Sequence, residues 1–88
     1  MAKVKSAYQL FKLIMPFLDE HLSRLENGNC SFTYTNFNID VRITIFGDHC
    51  EHIGYGVSNT DDEKVIDCDE LHTREDVEDL KKLIQEYL

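Results

Sequence analysis

The chain has no tryptophan, one proline, four glycines and three cysteines in 88 residues, and its nine lysines and arginines face seventeen aspartates and glutamates. Each scarcity excludes something. So few prolines and glycines leave no room for a proline-rich linker, a glycine-rich hinge or a low-complexity tract. Cys30, Cys50 and Cys68 are odd in number, which speaks against a disulfide framework and for a reducing, cytoplasmic setting. Asn29, Cys30 and Ser31 spell a glycosylation sequon, read here as chance for want of a secretion signal. No apolar run nears the ~18 residues of a membrane span. The apolar patch "YQLFKLIMPFL" is broken by Gln9 and Lys12 and is followed by no small-residue cleavage site, so neither a membrane helix nor a signal peptide is expected.

What remains is one small domain, residues 1–88, with 42% hydrophobic residues, enough for a single core. The net charge of −8 is unevenly spread. Residues 1–28 carry four bases and three acids, residues 29–60 one base and three acids, and residues 61–88 four bases and eleven acids. The last third would repel phosphate, which excludes direct nucleic-acid or anionic-membrane binding there and suits a basic protein partner.

Ala7, Leu10, Phe11, Ile14, Leu18, Leu22 and Leu25 recur at three- and four-residue spacing and predict a first helix, stopped at "ENGN" with Gly28 past its end. Pro16 removes a backbone donor and should kink or restart that helix. Leu13, Met15 and Phe17 widen its apolar stripe, which predicts a deeply covered helix more readily than a partner surface. Phe37, Ile39, Val41, Ile43 and Ile45 alternate with polar residues, the mark of a half-buried strand. "SFTYT" has the opposite parity, so a bulge or turn near Asn36 must separate it. "HIGYGVS" and "KVIDCD" are further strands around the turn "NTDDE", and Thr73 with Asp76 opens a last helix with an imperfect capping box. Val77, Leu80, Ile84 and Tyr87 form its buried line. The order helix, three- or four-stranded antiparallel meander, helix (α-β-β-β-α) predicts a two-layer α+β sandwich.

"GDHCEHIGYG" concentrates His49, Cys50, Glu51 and His52 in the densest cluster of reactive side chains in the chain. A three-residue loop of Gly47, Asp48 and His49 would pair Ile43 with Ile53, Val41 with Tyr55 and Ile39 with Val57, leaving Cys50 and His52 on the outer face. The next hairpin would set Tyr55 and Val57 opposite Cys68 and Ile66, turning Cys68 inward. Such a layout scatters the ligands that a tetrahedral zinc site must gather within about 2–2.3 Å of the metal, and no C-x2-C or H-x3-H pair occurs. No metal, cofactor or catalytic residue is therefore expected, and no enzyme. Gly54 and Gly56 bare the outer face of their strand and suit a backbone or bulky side chain lying flat on the sheet.

The element order resembles that of the double-stranded-RNA-binding domain. In that family lysines at the start of the second helix contact phosphate. Here the matching positions read Thr73, Arg74, Glu75 and Asp76, which reverses the charge and argues against RNA binding. In size, charge and lone-domain layout the chain is also similar to the small acidic inhibitors encoded by bacteriophages, including anti-CRISPR proteins and DNA mimics. Acidic type III secretion chaperones begin with a similar element order but are usually longer. The phage resemblance implies an inhibitor or adaptor that occupies a basic groove on a nucleic-acid-handling protein. Its negative surface would comprise Asp61, Asp62, Glu63, Asp67, Asp69, Glu70, Glu75, Asp76, Glu78 and Asp79. The alternative is a homodimeric structural or interaction protein, suggested by the wide first helix and the glycine-bared sheet face.

Overall fold

Ala7, Leu10, Ile14 and Leu18 are all buried and define the inward stripe of α1 (Ala7–His21), which runs through Pro16 as one element. The computed structural model describes residues 7–28 and 30–88; the basic start and the sequon's Asn29 lie outside them. Five strands follow α1: β1 (Ser23–Asn27), β2 (Ser31–Thr35), β3 (Ile39–Phe46), β4 (His52–Asn59) and β5 (Val65–Glu70). They form one antiparallel sheet in chain order, and α2 (Arg74–Gln85) closes the fold. The α+β architecture agrees with the sequence reading, with five strands in place of three or four.

The extra strand comes from residues expected in the first helix. The apolar spacing does continue to Leu22 and Leu25, but Leu25 is about half exposed. Arg24 pairs across to Tyr34 in the β1–β2 ladder, and the guanidinium also bonds Asp19 at 2.8 Å. Tertiary pairing therefore wins over helical periodicity. The expected helix stop at "ENGN" falls partly in β1, which runs to Asn27, and just past it the Gly28 N–H donates to the Ser31 carbonyl at 2.8 Å.

Of the two outcomes open at Asn36, two short strands form. The Asn36 side-chain oxygen accepts from the N–H groups of Asn38 and Ile39 and turns the chain. Tyr34 lies opposite Val41 and Phe32 opposite Ile43, so both apolar sets share one face. The alternation puts Phe37 at the head of the strand's buried line. It sits instead on the loop, 96% exposed.

The β3–β4 register also differs from expectation. Residues 47–51 make a five-residue loop and pair Ile45 with Ile53, Ile43 with Tyr55, Val41 with Val57 and Ile39 with Asn59. A slip of two residues preserves the face of every side chain. Gly47 is required at this loop. Its φ is +104°, and a Cβ there would overlap the Glu51 carboxylate.

In β5 the expected inward placement holds for Ile66, which packs on the core, and fails beyond it. A register shift between Val57 and Ser58 pairs Val57 with Asp67, Gly56 with Cys68 and Tyr55 with Asp69. Cys68 is exposed on the outer face, a correction of its expected inward placement. The inward positions of β5 go to Asp67 and Asp69.

The core is one cluster of α1 and α2 side chains against Tyr34, Ile39, Val41, Ile43, Ile53 and Val57. Phe11, Leu13, Met15 and Phe17 pack on it, so the breadth of the first helix is core, with Phe11 and Phe32 rings 4.9 Å apart. Each fully buried Leu or Ile contributes about 1.5–3 kcal/mol. Both helices thus cover one sheet face. No described helix is long and apolar enough to cross a membrane.

Candidate functional site

The ten acids singled out from the sequence come from three successive pieces of chain: the β4–β5 turn, edge strand β5 and α2. Asp61, Asp62 and Glu63 are exposed on the turn. The Asp62 carboxylate accepts the Lys64 N–H at 3.0 Å, and Glu63 adopts a left-handed φ of 59°. Through the Thr60 N–H, which donates to the Asn38 carbonyl, this turn is fastened to the loop that carries Phe37. The Asn38 side chain in turn donates to the Tyr87 carbonyl at 2.9 Å, so the far end of α2 arrives at the same corner. Asn38, Asn59, Asp61, Asp62 and Tyr87 line a shallow cleft there.

Asp67 and Asp69 point by register toward the helix-bearing side yet remain exposed, so the core reaches β5 at Ile66 and leaves these two uncovered. The Tyr55 hydroxyl donates to Asp67 at 2.7 Å. Burial of the ring, then the bond to Asp67, then the charges of Asp67 and Asp69, push the Tyr55 phenol well above its ordinary range. The sequence did not reveal this pair, because the bulge that creates it has no glycine or proline to mark it.

The remaining acids are less free. Glu70 faces the outer side, with its carboxylate 3.5 Å from His52 Nδ1. Asp76 is a structural cap. Its carboxylate accepts the N–H groups of His72 (2.8 Å) and Thr73 (3.0 Å), while the Thr73 hydroxyl accepts the Asp76 N–H, completing the capping box. Chiefly the His72 N–H, opposed by partial burial and then aided by the Thr73 N–H, holds the Asp76 carboxyl below the usual carboxylate range. Glu78 bonds Lys81 at 3.3 Å. Glu75 and Asp79 stand exposed on α2. Such exposed acids can attract cationic side chains, with exposed pairs each worth little and the sum acting at long range.

The histidine–cysteine loop lies open at the surface. His49 and Cys50 are exposed on the five-residue loop, Cys50 at a φ of 55°. His52 stacks on Phe46, ring centroids 5.2 Å apart, on the outer face. Among the described residues no three His, Cys, Asp or Glu side chains converge to hold a metal ion.

On that outer face a trough follows β4. Gly56 floors it, and Arg42, Glu63, Val65 and Cys68 are among its walls, enclosing about 280 Å³. A Cβ on Gly54 would lie 3.4 Å from Phe46 Cε1, whereas a Cβ on Gly56 would meet nothing within 4 Å. No family model matches the chain, and neither does any curated protein or solved structure.

Proposed function

We propose that this chain is a small acidic protein-binding domain, not an enzyme, which acts in the cytoplasm as an inhibitor or adaptor of a basic, nucleic-acid-handling protein. It is a reading of the kind that phage and mobile-element inhibitors represent. One observation carries it: Asp67 and Asp69 occupy positions where a covered strand would have apolar residues, and they stand uncovered on the side where α2 carries Glu75, Glu78 and Asp79. The turn acids extend that flank to the corner beside Tyr87. The flank would steer a basic target and occlude its nucleic-acid path. Three free, exposed cysteines fit a reducing compartment.

The test is capture of targets from bacterial lysate, followed by titration of the purified target. Asp61→Asn/Asp62→Asn/Glu63→Gln should weaken binding about tenfold at low salt, and the difference should shrink as ionic strength rises toward about 0.5 M. Retention indifferent to salt, or targets that handle no nucleic acid, would reject the reading.

A further inference from the structure

Both helices cover one face of the sheet, and no described element covers the other. That open face is not uniformly polar. Val65, in the wall of the trough over β4, is 67% exposed, and Phe46, beside the adjoining hollow along the same strand, is 40% exposed. Arg42 is exposed in the wall, and among the described residues its guanidinium makes no ion pair or hydrogen bond, although Glu63 lines the same trough. An unpaired arginine beside an unpaired carboxylate, over a floor with no side chain, is a self-complementary pattern.

We propose that a second copy of this chain packs face to face on the trough, with Arg42 of each copy meeting Glu63 of the other. A two-fold axis makes the contact reciprocal, so one cation and one carboxylate per copy give two ion pairs, and the assembly closes at a dimer. Gly56 lets the facing sheets approach to backbone distance at the centre. A strongly basic partner would meet Arg42 with like charge, whereas a second copy brings both signs in matching order. Five strands of five to eight residues, at about 4.8 Å spacing and about 3.3 Å per residue, give a projected face of roughly 500 Å². Side-chain relief raises that toward the ~800 Å² per partner of a standard interface.

Salt separates this contact from the acidic flank. Two copies of charge −8 repel at long range, so screening should tighten the dimer, whereas it loosens docking to a basic target. The experiment is sedimentation equilibrium of the full chain under reducing conditions, over roughly 10–200 µM at low and moderate salt, with Gly56→Leu, Arg42→Glu and the swap Arg42→Glu/Glu63→Arg. The native chain should sediment at twice its 10.3 kDa mass, more completely at the higher salt. Gly56→Leu should weaken the dimer about tenfold or more, with no loss of melting temperature at dilutions where both chains are monomeric, since its side chain enters open space in the monomer. Arg42→Glu should do the same, and the swap should restore association. A monomer throughout, or a dimer that ignores either single variant, overturns the inference and leaves the acidic flank untouched.

Discussion

Tyr34→Phe isolates one hydroxyl at the seam between α1 and the sheet. The Tyr34 ring is fully buried, and its hydroxyl donates to Asp19 at 3.0 Å and accepts from Arg24 Nε at 3.0 Å. Met15 Sδ, 3.4 Å away, is the weaker alternative acceptor. Hydrogen bonds to charged groups contribute about 1.5–3 kcal/mol where both sides are buried. Here the Asp19 and Arg24 side chains are 50% and 42% exposed and keep their own 2.8 Å bond, so water replaces much of what they lose. A value at or just below the lower end follows: about 1–1.5 kcal/mol, or roughly 5–10 °C in melting temperature for a domain this size. Tyr34→Ala should cost about 3–5 kcal/mol, because the ring leaves a cavity. Urea unfolding of the three proteins measures both.

The pH arm has a definite sign. The Arg24 hydrogen bond, opposed by desolvation and then aided by Tyr34, holds the Asp19 carboxyl below its usual value. Stability from that ionised carboxylate is present above the unfolded carboxylate pKa of about 3.9 and is lost as pH falls through the lower folded value. The gap between native and Tyr34→Phe should therefore narrow under acid. A Tyr34→Phe variant within about 0.3 kcal/mol of native at pH 7, or a gap unchanged down to about pH 2, would refute the reasoning.

Asp76→Ala removes the carboxylate oxygen that accepts two N–H groups at the cap and should cost about 1 kcal/mol by thermal melting at neutral pH. The loss should fade as pH drops through the depressed Asp76 value, since the native carboxylate is then protonated too; an undiminished loss in acid would count against the cap. Asp67→Thr/Asp69→Thr should preserve the far-ultraviolet circular dichroism spectrum but lower the concentration at which light scattering rises, because β5 is an edge strand and inward-pointing charge is one device against edge pairing. Scattering identical to that of the native chain would contradict that role.

How far the sequence could be read depended on whether neighbours or distant partners decide each residue. The stripe of α1, the alternation of β3 and the cap of α2 were legible, because each is local and periodic. β1 was hidden because Leu22 and Leu25 keep helical spacing, while the Arg24 contacts that hold the strand lie across the sheet. The hairpin register escaped by two residues because parity constrains faces and not positions. The β5 bulge inverted the expected placement of Cys68 and, with it, the surroundings of two of the proposed acids. The acids themselves were visible as composition. That Asp76 serves the helix was already legible in its spacing from Thr73, whereas the pairing of Glu78 with Lys81 needed coordinates.

The two helices also meet each other above the sheet, so the core is assembled from the opposite ends of the chain. The hairpins between them can zip in order during synthesis, since every strand neighbours the one just made. Closure cannot follow until Val77, Leu80 and Ile84 emerge from the ribosome, and until then the apolar underside of α1 and the meander lacks part of its cover. A nascent chain stalled short of α2 should accordingly be a chaperone client and a protease substrate, although most of its sheet is already paired.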